Sequence, residues 1–352
     1  MKKIVKLKRS SQTLLKTHLS NILGRIIVIL LLSTTVAGHL FAQDVITDNL
    51  PPDNYPSDSA QAWLHKMADA VESLNYSISF VLLKPGEDAQ PYLWRHGVNE
   101  NGLDMEQLNL LNGPGREVVR IGDVVSYFEP NVPPYSLQSS VINGPFPSEF
   151  LHNPEKLSDG YEFIMVGRSR IAGRAAQQIR LISKDKTRYG LNVWLDQETG
   201  LLLKMNMMAQ NSKLLEQIQV TGLHVSQQPD PFFSRIELDM LPQIVSINTR
   251  NPDDSPWTIG YIPEGMKIVK RDLRRLAAID ELVEYFMLSD GLVDVSVYLE
   301  AKGKSTIQNN LVGTVQTDTL LTIEHNDLNV TVIGKLPAKT ANAIAKSVQR
   351  IN

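Results

Sequence analysis

Few residues in this 352-residue chain have the type and spacing that chemistry needs. His65, His96, His152, His224 and His325 lie too far apart to share a metal, and no cysteine is available to help them. Gly113 and Gly115 sit in a turn with no helix signal behind them, so they do not make a phosphate loop. No Gly-x-Ser-x-Gly elbow occurs. The paired carboxylates Asp253 and Asp254 fall in a proline-rich polar stretch and read as a solvated loop. The expectation is a protein with no catalytic residues, no metal site and no cofactor. Its function should be binding rather than catalysis.

Binding chemistry is better represented. One basic cluster holds Arg168, Arg170 and Arg174, with Arg180 nearby. A second holds Lys267, Lys270, Arg271, Arg274 and Arg275. Guanidinium and ammonium groups so grouped suit a phosphorylated headgroup or an acidic peptide, although a solvated face is the simpler reading. Methionine occurs on both faces of one strand, at Met205, Met207 and Met208. Thioethers suit adaptable apolar surfaces, including acyl-chain sites, and also fill cores. The residues expected to line an acyl pocket are Trp63, Met67, Tyr76, Phe80, Val193, Leu203 and Met205.

These side chains need a wide sheet to carry them. From Tyr161 to Val225 the chain reads as five strands separated by polar turns: Tyr161–Val166, Ala175–Ser183, Arg188–Asp196, Leu201–Ala209 and Leu214–Val225. The first of the turns is the basic stretch Gly167–Arg174. Short strands joined in this way form an antiparallel meander. Upstream, Asp58 or Ser57 can cap a helix through Asn75, with Trp63, Leu64, Met67, Ala68, Val71 and Leu74 on one face. Hairpins follow at Tyr76–Leu83 with Gln90–Val98 and at Glu117–Ile121 with Val124–Phe128; the latter turns at Gly122-Asp123. Met105–Leu111 is a further short apolar strand, and Glu129–Ser148 is a long proline-bearing loop. About nine or ten antiparallel strands with one helix must curl to bury a face, which gives a half-barrel with the helix across its mouth.

Residues 226–256 are polar and rich in proline, and are expected to be a linker with room for a short ordered piece around Phe232–Leu241. Residues 257–352 read as a smaller α+β domain. Its signals are strands Trp257–Ile262 and Lys267–Arg271, hairpins over Val283–Leu299 and Thr319–Gly334, and a terminal helix opened by Pro337. That helix presents Ala341, Ile344, Ala345 and Val348.

The N-terminus is basic through Arg25, then apolar over Ile26–Leu32, and turns polar at Ala42-Gln43. This is the pattern of a secretory signal peptide over residues 1–42, followed by a flexible leader over 43–57. The apolar run is too short to span a bilayer. Residues 1–42 carry seven basic and no acidic residues, so the remainder has 28 basic against 38 acidic, a net charge of −10. That balance argues against nucleic acid as a partner.

In order along the chain stand Leu74-Asn-Tyr76, Gly113-Pro-Gly-Arg-Glu-Val-Val119, Val125-Ser-Tyr-Phe-Glu-Pro130, Tyr161-Glu-Phe-Ile-Met-Val-Gly-Arg168, Thr187-Arg-Tyr189, Val193-Trp-Leu-Asp196 and Leu215-Glu-Gln217. Beyond the linker come Tyr261-Ile-Pro-Glu-Gly265, Leu288-Ser-Asp-Gly-Leu292 and Val332-Ile-Gly-Lys-Leu-Pro337. In this ordered set the chain resembles the RseB/MucB family, periplasmic negative regulators of the sigma-E envelope-stress pathway. It departs from that pattern in the leader, the linker and Ala301–Gln316. The resemblance implies that residues 58–225 form an open β-barrel similar to lipoprotein carriers of the LolA/LolB type, used to sense lipid. It implies that residues 257–352 hold a partner, the periplasmic region of an RseA/MucA-like transmembrane anti-sigma factor. Binding would shield that factor from proteolysis, and lipopolysaccharide or mislocalised lipid would release it. The alternative is a periplasmic lipoprotein or glycolipid carrier, for which the second domain has no evident use. The sequence leaves open whether copies of the chain form a homo-oligomer.

Overall fold

The computed structural model describes Pro56 and residues 58–245, 255–276, 281–301, 311–315 and 317–351. The expected signal peptide, nearly all of the leader and the Asp253/Asp254 pair lie outside these residues. Among the described residues no helix is long and apolar enough to cross a membrane.

Helix α1 (Ala60–Ser73) starts where the Ser59 hydroxyl accepts a hydrogen bond from the Ala62 amide at 3.1 Å. Ser59, rather than Ser57 or Asp58, is therefore the cap. Leu64, Met67, Ala68 and Val71 recur at helical spacing and are buried, which fixes the face the helix turns inward.

That face lies on one antiparallel sheet of eleven strands. In chain order these are β1 (Asn75–Leu83), β2 (Gln90–Val98), β3 (Asp104–Leu110), β4 (Arg116–Ile121), β5 (Val124–Phe128), β6 (Tyr135–Gln138), β7 (Tyr161–Ile171), β8 (Arg174–Ser183), β9 (Gly190–Asp196), β10 (Leu202–Met208) and β11 (Leu214–Ser226). Their spatial order is β6-β5-β4-β3-β2-β1-β11-β10-β9-β8-β7. The sheet is not closed, since β6 and β7 end the order without pairing to each other. Strict alternation decides which side chains enter the core. In β9 Leu191, Val193 and Leu195 are buried and Asn192 and Trp194 are not; in β10 Leu203, Met205 and Met207 face inward with them. An open, curled antiparallel sheet under a helix is the architecture the strand count called for.

Three features differ from the sequence reading. The basic stretch Gly167–Arg174 is not a turn. Strands β7 and β8 continue through it in register to Ile171 and Arg174, and only Ala172 and Gly173 turn, both at positive φ. The alternation there is polar, so a period-two apolar signal was absent. The loop Glu129–Ser148 carries strand β6, and a short helix α2 (Ser148–His152) and a 3-10 turn (Pro154–Asp159) follow it. Ile142, Phe146, Phe150, Leu151 and Leu157 from this region drop into the core beneath α1. Finally, the stretch expected to be a linker is pinned to the sheet over residues 227–245. Pro229 packs against Gly97, Arg95 pairs with Asp230 at 3.0 Å, and Ser136 exchanges backbone hydrogen bonds with Gln243 and Val245.

The second sheet has six strands in the order β13-β14-β15-β18-β17-β16, where β13 is Lys267–Leu276, β14 Glu281–Ser289, β15 Asp294–Ala301, β16 Leu311–Val315, β17 Asp318–His325 and β18 Leu328–Gly334. Helix α3 (Ala338–Lys346) packs on β17 and β18 through Ala341, Ile344 and Ala345. Val348, expected on the helix, instead begins strand β19 (Val348–Arg350). It pairs with β12 (Trp257–Ile259) and so ties the C-terminal end back to the entry of this sheet. All connections in both sheets are antiparallel, giving the mostly antiparallel α+β class expected.

Candidate functional site

The two sheets meet at a joint built around Arg188, which the sequence placed at the start of a strand and which the structure sets just before β9. Its side chain is 0 % exposed. The guanidinium reaches Asp290, in the turn between β14 and β15, at 2.7 Å, and Asp185 at 3.3 Å, and it lies 4.9 Å over the Tyr161 ring. The Tyr161 hydroxyl donates to the same Asp290 oxygen at 3.0 Å, while the other oxygen accepts the Leu292 and Val293 amides. Every oxygen of the buried carboxylate is thus satisfied, the condition under which such a pair is tolerated away from water. Burial, then Asp290, pushes the Tyr161 phenol well above its usual range.

Backbone contacts finish the joint. Asp185 accepts the Glu264 amide at 2.9 Å, and Thr340 donates to the Thr187 carbonyl at 2.6 Å. Gly265, at φ +80°, abuts Gly160 so closely that a Cβ would stand 2.6 Å from the Gly160 nitrogen. A second contact joins β11 to the residue after β18. Glu216 of β11, 3 % exposed, accepts Lys335 at 2.9 Å and is approached by Lys84 at 3.9 Å. Burial, with Glu216 adding to it, raises the Asp318 carboxyl beside them.

Next to the Arg188 contact a groove of about 820 Å³ opens between the sheets. One wall is β8 and β9 with the turns Ser183–Thr187 and Met208–Ser212; the other is Tyr261 and the start of α3, from Pro337 to Ala343. Leu181, Leu191, Met208 and Ala343 make it partly apolar. Arg180, Lys186 and Lys339 stand exposed on its rim, so its charge is positive on a chain whose net is negative. Asp185, the acidic member, is already engaged by the joint.

The seven residues expected to line an acyl pocket come together, but in a packed interior. Met67, Tyr76, Phe80, Val193, Leu203 and Met205 are all buried, and Trp63 packs partly exposed against them. Phe146 packs among them, 4.9 Å from Phe80 and 5.4 Å from Trp94 by ring centroids. A void of about 20 Å³ beside Trp94 and Phe146 has room for about one water. Of the basic residues, the first group lies on the paired strands β7 and β8 and the second on β13. Arg168 and Arg170 are exposed on β7, whereas Arg174 forks onto Asp196 at 2.8 and 2.9 Å and also meets Glu198. Lys270 lies 3.8 Å from Asp272, and Arg271 lies over the Phe286 ring. Arg274 and Arg275 are on β13 with side chains outside the described residues. No group of metal-ligating side chains occurs among the described residues. His96, isolated in sequence, instead pairs with Asp104 at 2.9 Å and donates to the Leu74 carbonyl through Nδ1.

Two carboxylates here set an acid limit. Burial raises Asp104, but hydrogen bonds from His96 and Arg120 outweigh it and hold the group at about 2, below 3.8. Burial is likewise outweighed at Asp185 by Ser183, Thr187 and the Glu264 amide, leaving it well below the carboxylate range. A depressed folded-state pKa contributes stability above the unfolded value, lost as pH falls through the folded one. Urea midpoints should therefore fall from about pH 4 toward about pH 2. Asp104→Asn should flatten that dependence, and an unchanged slope in the variant would contradict the assignment.

An open sheet joined to a smaller sheet through a buried ion pair, with a positive groove between them, defines a two-domain binding protein. A family model described as the MucB/RseB N-terminal domain matches residues 59–245, and one described as the C-terminal domain matches 251–349. The chain belongs to the MucB/RseB family. It is 32 % identical over 314 residues to the sigma-E factor regulatory protein RseB of Escherichia coli K12, covering 88 % of this chain and 97 % of that one. To the sigma factor AlgU regulatory protein MucB of Pseudomonas aeruginosa it is 26 % identical over 294 residues, 82 % of this chain and 90 % of that one. A solved complex of Pseudomonas aeruginosa MucA and MucB contains a chain of the same fold, with a TM-score of 0.68 at 24 % identity over 83 % of this chain and 99 % of that one. These relatives carry regulatory names, not those of enzymes.

Two of the stretches that carried the resemblance, Thr187-Arg-Tyr189 and Leu288-Ser-Asp-Gly-Leu292, supply the two halves of the Arg188–Asp290 pair. The sequence missed the pair because its halves are 102 residues apart. A buried arginine among turn residues leaves no periodic signal.

Proposed function

We propose that this chain is a periplasmic regulator that binds the periplasmic region of a transmembrane anti-sigma factor in the groove between its two sheets. Bound there, it shields the anti-sigma factor from proteolysis, and lipopolysaccharide or mislocalised lipid releases it. The observation that carries this reading is the groove itself, large enough for a peptide segment, walled by the large sheet on one side and by Tyr261 and α3 on the other, and positive at its rim. The regulatory names of the relatives, and the solved complexes of MucB with MucA and with MucA(peri), support the choice of partner. The filled barrel interior favours a regulator over a carrier, because a carrier's cargo space would have to be emptied first.

Release by lipid is a linkage: an acyl chain shifts the equilibrium only by its differential affinity for the released state. An interior whose packing changes when a chain displaces Phe146 has the two arrangements that such coupling requires. A pulldown with the anti-sigma factor's periplasmic segment, with and without lipid A, tests both parts. Capture that lipid reverses is expected. No capture without lipid overturns the regulator reading, and capture indifferent to lipid overturns the sensor. Ala343→Trp, which fills the groove from α3, should weaken capture about tenfold or more, as blocked pockets at the centre of interfaces do. Unchanged affinity in that variant would move the partner elsewhere.

A further inference from the structure

The two ends of the large sheet are treated differently. At β6 the chain covers its own edge: the Ser136 amide donates to the Gln243 carbonyl at 3.2 Å, the Val245 amide donates to the Ser136 carbonyl at 2.8 Å, and Ile244 forms a parallel bridge. At β7, an eleven-residue strand, the described residues pair only the side facing β8. An uncovered edge of that length is a template for another strand.

The side chains along it are graded. Phe163, Ile164 and Met165 are half-buried, and Val166 is 44 % exposed. Val166 is skipped in the register between Met165 and Gly167, so it is the extra residue of a bulge. Beyond it Arg168 and Arg170 are exposed; Arg170 donates to the Gly173 carbonyl at 3.1 Å, and neither forms an ion pair among the described residues. This is a short apolar run followed by two free cations, on a chain whose net charge after residue 42 is −10. Self-pairing of two such edges would put four arginines on one ribbon.

We propose that β7 is a second interaction surface, which takes an extended acidic segment of another protein by strand addition, apolar residues along Phe163–Val166 and carboxylates along Arg168–Arg170. Backbone hydrogen bonds hold the segment, and the arginines select its charge. Phe163 and Ile164 pair with Leu181 and Arg180 of the groove wall, so the two surfaces adjoin, and the variants in the test separate them.

The test uses the chain from Gln43 onward and a fluorescent ten-residue peptide of alternating Glu and Val, followed by anisotropy. A Lys-Val peptide and a Glu-Val peptide N-methylated at alternate residues are the comparisons. Binding of the Glu-Val peptide is expected, weakened about tenfold or more by Arg168→Glu with Arg170→Glu, by N-methylation, and by the exchange to Lys, and left unchanged by Ala343→Trp. Equal binding of the N-methylated peptide would reduce the surface to charge attraction and overturn strand addition. Equal binding of the Lys-Val peptide would overturn the charge selection. If binding appears only once Asp44, Asp48 and Asp53 are changed together to Asn, the chain's own acidic leader competes for the edge and the proposal of an outside partner falls.

Discussion

Asp290→Ala is expected to destabilise the protein by about 3–5 kcal/mol, because it leaves the Arg188 guanidinium buried without its carboxylate. The side chains of Arg188 and Asp290 are 0 % and 2 % exposed, so water cannot replace the lost partner without opening the joint. The Tyr161 hydroxyl and the Leu292 and Val293 amides lose their acceptor at the same time. Urea unfolding should show this as a lower midpoint, and hydrogen exchange should place the opening at the Ser183–Thr187 turn and the start of α3. Arg188→Met combined with Asp290→Leu should recover much of the loss, since an apolar pair of similar volume is often no worse than a buried ion pair. If Asp290→Ala alone is neutral, the joint is held by Glu216–Lys335 and the backbone contacts, and Arg188 does not fix how the groove walls meet.

Phe146→Ala is the second large effect. Its ring is 7 % exposed and fills the interior between Phe80 and Trp94. Truncation should cost about 3 kcal/mol, and the cavity it leaves should stay apolar. The lipid-release reading then predicts tighter binding of a fluorescent fatty-acid probe by the variant than by the natural chain, because the ligand no longer has to displace the ring. Lower stability with no gain in probe binding would show that Phe146 is core alone and would place any lipid site outside the barrel.

The sheet was legible because its strands obey a period of two. Leu191, Val193 and Leu195, or Met205 and Met207, announce an inward face without any partner in view, and the α1 stripe does the same at helical spacing. What stayed illegible depends on contacts between distant parts of the chain. Arg188 looks like any outward strand residue until Asp290 is placed beside it. The proline-rich segment that follows β11 has no periodicity, yet Arg95, Gly97 and Ser136 hold it against the sheet. The residues expected to line an acyl pocket meet in one interior, but only the path of Ile142 and Phe146, from a loop with no regular signal, shows how full that interior is. Arg168 and Arg170 were noticed for their charge; their position on an uncovered edge strand required the strand order.

The central claim is that the large sheet and the helix of the smaller domain together form the partner site. Hydrogen–deuterium exchange on the chain from Gln43 onward, with and without the periplasmic segment of an anti-sigma factor from the same organism, tests it directly. The account predicts slowed exchange on both walls at once, over residues 181–192 and 208–212 on one side and 338–343 on the other. Protection confined to one sheet, with the opposite wall exchanging as in the free protein, would contradict it.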